Sequence, residues 1–277
     1  MTIKEIIERL IEWHQPYENP KTRDTVKSGN INQECTGIAL CCWASMDVIE
    51  KAAALGCNLL ISHESLYYGD EFDLAQFAGI TAYENKKRFL EEHNIAVFRD
   101  HDHMHGKGKP WVPERVRNDY IYYGFMKVMG WDDYVIGDQM KPTDYIIPEM
   151  TGGQLADLLI EKLQLHGIRM VGDPETAVTK VHMIEHCLGK GDDARILEAV
   201  RADALIPLEM VDWTAAAYVR DAVAAGQHKI ILQPGHFNVE EAGMMYMEKW
   251  LPDVIDHTVP VTYIRAEDPF LYRLAGK

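Results

Sequence analysis

Apolar residues recur at helical spacing over residues 3–13, where Ile3, Ile6, Ile7, Leu10 and Ile11 make one stripe. A polar stretch from Pro16 to Glu34, containing NPKTRD and KSGN, predicts an irregular loop. The period then changes. GIALCCW (37–43) is a short unbroken apolar run suited to a buried strand, and MDVIEKAAALG (46–56) predicts a helix ending at Gly56. CNLLISHE (57–64) predicts a second strand, 80–93 a helix, and IAVFRD (95–100) a third strand that runs into His101, His103 and His105.

From Pro110 to Tyr145 the pattern is less regular: a helix is expected after Pro113, and 132–148 reads as a connector. The alternation then restarts. GGQLADLLIEKLQ predicts a helix, KVHMIEHC (180–187) a strand, GDDARILEAVRA a helix and DALIPLE (203–209) a strand. A helix over about 213–225 precedes KIILQPG (229–235), a strand that delivers His236. The second half thus echoes the first: strand, helix, strand ending in Glu64 or Glu209, helix, strand ending at a histidine. Strands alternating with helices imply α/β architecture with mainly parallel sheets covered on both faces. We expect two topologically related α/β lobes, drawn as residues 1–130 and 131–277. In such sheets ligands gather beyond the carboxyl ends of the strands, where the polar clusters lie.

Composition narrows the class. The 277 residues are 47% hydrophobic and 26% charged, enough apolar material for a real core. No run approaches the ~18 consecutive apolar residues of a membrane span, and the first residues lack the unbroken apolar core of a secretion signal. No membrane association is expected. The five cysteines (Cys35, Cys41, Cys42, Cys57, Cys187) contain no C-x-x-C pair, which favours reduced thiols and a cytoplasmic protein over a disulfide framework. A net charge of −15 argues against a nucleic-acid partner, because affinity for phosphate comes from Lys and Arg.

Candidate chemistry lies in three places. In S-H-E-S (62–65), His63 and Glu64 end a strand; Tyr67 replaces the second histidine of H-E-x-x-H, so a helical zinc-protease site is not supported. In D-H-D-H-M-H (100–105), an extended backbone would put His101, His103 and His105 on one side and Asp100 and Asp102 on the other. Three imidazoles with carboxylates opposite suit a borderline metal. In G-H-F-N-V-E-E (235–241), a helix starting near Phe237 would put His236 and Glu240 on one face, four residues apart. A lone histidine is usually solvated or hydrogen-bonded in a core, and His14, His93, His166, His228 and His257 are read so. Glu209 reads as a polar contact closing a lobe, not a ligand. The 100–105 cluster is different, because burying so many titratable groups without a partner is costly.

The segments TGIALCCWASMDVIEKAAALGCNLLISHESL, IAVFRDHDHMH, ADALIPLE and KIILQPGHFNVEEAGM, in that order, resemble the NIF-three-like dinuclear metal-centre family, often labelled GTP cyclohydrolase I type 2. The resemblance implies two related α/β lobes, a metal cleft between them holding two ions, and a homo-hexamer. It implies metal ligation by His63, Glu64, His101, His105, His236 and Glu240. Glu64 stands where the family's second histidine stands, and His105 where its bridging aspartate stands, so one carboxylate and one imidazole are exchanged. Glu64 is then the candidate bridge, with Asp100 or Asp102 as alternatives.

Two divalent ions per chain (Zn, Fe, Mn or Co) would make metal-assisted hydrolysis of a small molecule the natural reaction, with His103 as general acid or base. A non-catalytic metal-binding regulatory or interaction protein is the alternative. A single-metal hydrolase using H-x-H-x-H is a third reading, although Met104-His105 does not supply the Asp-His that such motifs need.

Overall fold

The computed structural model describes residues 1–14, 21–69, 72–106, 118–185, 187–191 and 193–274. Their packing divides the chain into two units: Met1–Gly124 with Gly243–Ala266, and Phe125–Ala242 with Glu267–Lys277.

The first unit is built on a five-stranded sheet. β2 (Ile38–Cys41), β3 (Leu59–Ser62) and β4 (Ala96–Arg99) are parallel neighbours, every residue buried, as expected of strands covered on both faces. They are the three predicted strands, trimmed by one or two residues at each end. Between them run α2 (Met46–Ala54) and α3 (Thr81–Glu92). The former is capped by the Ser45 hydroxyl, which accepts the Val48 N–H. Val48, Ile49 and Ala52 of α2 join Tyr83 and Leu90 of α3 and Ala39, Leu60 and Val97 of the strands in one core. The N-terminal helix α1 (Ile3–Trp13) buries Ile3, Ile6, Ile7 and Leu10, and Thr2 and Glu5 cap it reciprocally.

Two edge strands were not legible as apolar runs. β1 (Val26–Ser28) lies inside the expected loop, of which the part before Lys21 is outside the described residues; it pairs antiparallel with β4. Gly29, at φ +86, follows it so closely under β4 that a Cβ would lie 2.5 Å from the Ala96 Cα. β10 (Val261–Tyr263) pairs parallel with β2. Sequence alone draws the units as consecutive segments; the packing assigns Gly243–Ala266, which includes β10, to the first unit.

The second unit repeats the plan. β7 (Ala177–Ile184), β8 (Ala204–Pro207) and β9 (Ile230–Gln233) are parallel neighbours. α6 (Asp193–Ala199) and α7 (Ala217–Ala224) connect them, the latter entered through a π-helical stretch over Asp212–Ala216. Leu197, Ala215 and Val219 pack with Ile184, Leu205 and Ile231. β5 (Asp144–Thr151), where a connector was expected, pairs antiparallel with β7, and β6 (Arg169–Val171) pairs antiparallel with β9. β6 therefore occupies beside β9 the position β1 occupies beside β4. α5 (Gly152–Leu163) buries Leu155, Ala156, Leu159 and Leu163, with Thr151 and Gln154 as a second capping box.

The helix expected after Pro113 is described from Tyr120, as α4 (Tyr120–Met129); its predicted start lies outside the described residues. The last helix, α8 (His236–Val254), begins three residues after β9. No helix among the described residues is long and apolar enough to cross a membrane.

One buried cation holds the loops at the sheet's carboxyl end in the first unit. Lys86 of α3 is 2% exposed, and its ammonium donates to the carbonyls of Ala44 (2.8 Å) and Leu66 (2.9 Å), on either side of the His63 turn. Lys86→Ala leaves both carbonyls without that donor. The expected loss is about 2–4 kcal/mol of unfolding free energy, seen as a lower urea midpoint at unchanged slope. A midpoint equal to that of the parent protein would mean that water serves the two carbonyls as well.

Candidate metal centre

β3 and β4 end side by side and release their chains into two turns. The first carries His63, fully buried, whose Nδ1 donates to the carbonyl of Asp100 at 3.0 Å. The second carries the D-H-D-H-M-H segment, and it is not extended. The His105 N–H donates to the His101 carbonyl (3.2 Å) and the Gly106 N–H to that of His103 (2.9 Å), which is one turn of helix-like backbone. This corrects the expectation that all three histidines share a side. At this pitch His101 and His105 converge, and His103 is turned out of their group.

His63, His101 and His105 each present one ring nitrogen within 4.8 Å of the other two. Their ring centroids are 4.6 Å apart for His63 and His101, and 5.0 Å for each of the other pairs. Each Nδ1 meets an oxygen: His63 the Asp100 carbonyl (3.0 Å), His101 the Asp102 carboxylate (3.1 Å) and His105 the Asp119 carboxylate (3.0 Å). Since a carbonyl or carboxylate only accepts, Nδ1 carries the proton and Nε2 the lone pair, the tautomer a metal ligand needs. Asp119 has a second task. Its other oxygen accepts the N–H groups of Ile121 and Tyr122 and so caps α4. Burial pushes the His101 imidazole down to about 4 against the lift from Asp102, and neighbouring His63, His105 and Arg99 add to the fall. The ring is neutral at neutral pH.

Behind the turn stands Asp24, 5% exposed. Its carboxylate accepts the backbone N–H groups of His101 (2.7 Å), Asp102 (2.8 Å) and His103 (2.7 Å), and the His103 Nδ1–H as well. Burial alone would raise this carboxyl, but His103 first and then the three backbone donors outweigh it and hold it below the usual range. His103 moves the other way: burial would lower its pKa, and Asp24, then Asp100 and Asp102, lift it above the usual value. Asp24, Asp100 and His103 form a second close group. His14, read from sequence as an ordinary solvated or core histidine, has a buried side chain with Nε2 3.0 Å from the Asp100 carboxylate.

Glu64 follows His63, and one of its carboxylate oxygens lies within 4.8 Å of a His63 ring nitrogen. Its carboxylate accepts from the Arg99 guanidinium (2.9 Å), which also donates to the His63 carbonyl (3.0 Å) and the Ser65 hydroxyl (2.8 Å). Arg99, the last residue of β4, thereby braces the His63 turn, and nothing in the sequence pattern marked it.

In the second unit β8 and β9 end in the same manner. His236 opens α8 with Nε2 3.2 Å from the Glu240 carboxylate one turn on, as the helix register predicted. Glu240 is 1% exposed. The His236 Nδ1 lies 2.9 Å from Glu209, which follows β8, and 3.8 Å from the Cys187 sulfur, which follows β7. Glu209 is thus an orienting partner of His236, a part the sequence reading did not give it. Cys187, Glu209 and His236 also make a close donor group.

Paired central parallel strands and histidine-rich turns at their carboxyl ends define a two-sheet α/β protein with residue groups suited to holding metal ions. A model of the Duf34/NIF3 (NGG1p interacting factor 3) family matches residues 1–269, and the chain belongs to that family. Solved structures of similar fold include the Staphylococcus aureus hypothetical protein SA1388, at 16% identity over 99% of both chains with a TM-score of 0.70. A Bacillus cereus protein related to NIF3 is similar at 17% identity over 99% of both chains, with a TM-score of 0.68. Reduced HcgD from Methanocaldococcus jannaschii is similar at 16% identity over 95% of this chain and 97% of that one, with a TM-score of 0.62. No curated protein matches the chain at a significant level.

Asp24→Asn tests what holds the His101–His105 turn. Each carboxylate oxygen receives two donors, and the amide puts an NH2 group in place of one oxygen, so about 2–4 kcal/mol of stability should be lost. Guanidinium unfolding measures it, and a loss below about 0.5 kcal/mol, the scale of ordinary surface changes, would mean that other contacts hold the turn.

Proposed function

We propose that this chain is a divalent-metal protein that takes up two ions, one at His63, His101 and His105 in the first unit and one at His236 and Glu240 in the second. The carrying observation is the set of three imidazoles whose Nδ1 protons are all committed to oxygens at 3.0–3.1 Å, with ring nitrogens within 4.8 Å of one another. A histidine cluster with no such task would be costly to bury neutral and mutually oriented. Glu64 is proposed as a carboxylate ligand through the oxygen Arg99 does not hold, which keeps the exchange of donor types between Glu64 and His105 consistent with the family's ligand count. Imidazole with carboxylate suits Zn, Fe, Mn or Co.

The chemistry proposed is hydrolysis of a small molecule. Bound divalent ions supply a Lewis acid and a water of lowered pKa. The chain's own contribution is to fix the donors: Asp119 and Asp102 orient His105 and His101, Glu209 orients His236, and Asp24 sets the turn. His103, expected to move a proton, lies against Asp24 instead, and we assign it as a positioning residue for the turn that carries His101 and His105. The homo-hexamer and the cytoplasmic location implied at the outset belong to the same proposal. A regulatory protein that uses its metals structurally is the second reading, favoured by the family's description as an interacting factor.

Elemental analysis of protein purified without chelator should give two ions per chain. The double variant His101→Ala with His105→Ala should lose one of them, and His236→Ala the other. Equal metal content in all three proteins would overturn the assignment. If phosphoesters and cyclic amides are turned over by the parent and by neither variant, the hydrolase reading stands; metal binding without turnover favours the regulatory one.

A further inference from the structure

A cavity of about 470 Å³, a size usual for small-molecule sites, opens at the carboxyl end of β9 in the second unit. Its lining combines His236 and Glu209 with Arg169 and with the rings of Phe237, Phe270 and Tyr272. We infer that it admits a small, apolar monocarboxylate as substrate, with the carboxylate on Arg169 and the apolar body against Phe270 and Tyr272. The inference rests on the reading that His236 and Glu240 hold an ion, and it names the substrate class for that ion.

The edge strand β6 places the arginine. Arg169 pairs across the ladder with Gln233, the last residue of β9, so its long side chain reaches the strand end beyond which His236 lies. Its guanidinium donates to Asp212 through one amino group, at 2.7 Å. Both side chains are at least half exposed, 51% and 76%, and an exposed pair of this kind is weak and readily exchanged. The planar fork has five N–H groups, so donors remain for a second carboxylate, which it can grip with two parallel hydrogen bonds.

Charge sets the class of anion. Arg169 is the cation among the described lining residues, and the Glu209 carboxylate is taken up by the His236 Nδ1 at 2.9 Å. One arginine, shared in part with Asp212, matches one negative charge. A di- or triphosphate would bring more charge than this lining offsets.

The aromatic wall supplies the apolar half. Phe270 lies against Gly235, where a Cβ would come 3.3 Å from its ring. Tyr272 lies over Gly167, two residues before Arg169, where a Cβ would come 2.7 Å from its ring. Phe270 is 53% exposed and Tyr272 36%, so a ligand body laid against them removes apolar surface from water. This wall is pinned. Buried Asp268 accepts from the His166 N–H (2.9 Å), the Asn238 side-chain amide (3.2 Å) and the Phe270 N–H (3.0 Å). His166 Nδ1 donates in turn to the Phe270 carbonyl (2.9 Å).

The test uses the full-length, zinc-loaded protein, with its zinc content measured, and three probes of similar shape. Benzoate is a monoanion, phenylphosphonate carries up to two charges, and benzamide is neutral. Calorimetric titration should show benzoate binding about tenfold or more tightly than benzamide, the worth of charge-assisted hydrogen bonds. Benzoate should also bind no less tightly than phenylphosphonate. Arg169→Met, at an exposed position, should erase the preference for benzoate over benzamide, and Phe270→Ala with Tyr272→Ala should weaken both. Manganese-loaded protein should broaden the ring-proton resonances of bound benzoate, which places the probe beside the ion. An undiminished preference in Arg169→Met would mean that the ion itself takes the anion, and would overturn the inference. So would equal binding of benzoate and benzamide, a preference for phenylphosphonate, full binding by the wall variant, or binding without broadening. Those failures occur with metal bound and leave the metal assignment standing. A second unit that takes up no ion removes the metal assignment and this substrate class with it.

Discussion

A single carboxylate that receives four donors fixes the geometry on which the candidate centre depends. Asp24 gathers three successive backbone N–H groups and one imidazole, all from residues 77–79 positions further along the chain. Three consecutive amides can point at one oxygen pair only where the backbone curls, as in an anion-binding nest. The curl is what brings residues four apart onto one side, and so it decides that His101 and His105 face His63 and that His103 does not. The loss of hydration of a buried carboxylate is offset by charge-assisted bonds, each stronger than a neutral one. Remove that anion and the segment has no local reason to turn, for its alternating Asp and His have no helical pattern of their own.

The central strands and their helices were legible because a parallel strand buried on both faces must be an unbroken apolar run. Ile38–Cys41 and Ala204–Pro207 are such runs, and Leu59–Ser62, Ala96–Arg99 and Ile230–Gln233 are apolar up to a polar last residue. The positions of His63, His101, His105 and His236 followed from the same logic, since strand ends in such sheets are where polar groups collect. The edge strands were hidden for the converse reason. Val26–Ser28, Arg169–Val171 and Val261–Tyr263 are three residues long and half exposed, so neither apolar continuity nor alternation marks them. The orienting residues were hidden differently. Asp24 and Asp119 sit outside the regular elements, where an acidic residue attracts no notice, and each acts on a histidine distant in sequence; Glu209 is marked by its place at a strand end, but as a contact closing a lobe and not as the partner of His236. Arg99 looked like the polar end of a strand, and only its fan of bonds to His63, Glu64 and Ser65 shows its work.

The two units share a plan but offer different donor environments. In the first, three imidazoles stand together, each held by a hard oxygen at its far nitrogen, which raises basicity without adding negative charge to the donor set. In the second, His236 stands between two carboxylates with a thiol nearby. A sulfur donor shifts preference toward softer ions, and carboxylates toward harder ones. One scaffold, used twice, thereby presents two different sets of candidate donor groups, and the difference lies in the residues just past the strands, not in the strands themselves.

The strand that borders β2 comes from the far end of the chain, after the whole of the second sheet has been laid down. During synthesis on the ribosome, the first sheet must therefore wait with one flank uncovered until β10 emerges. Loop closure of that length slows assembly, and an exposed flank on a half-made sheet invites pairing with another chain. Biogenesis of this protein is thus set by an ordering problem in time, in which the sheet begun first is completed only after every strand of the second has been made.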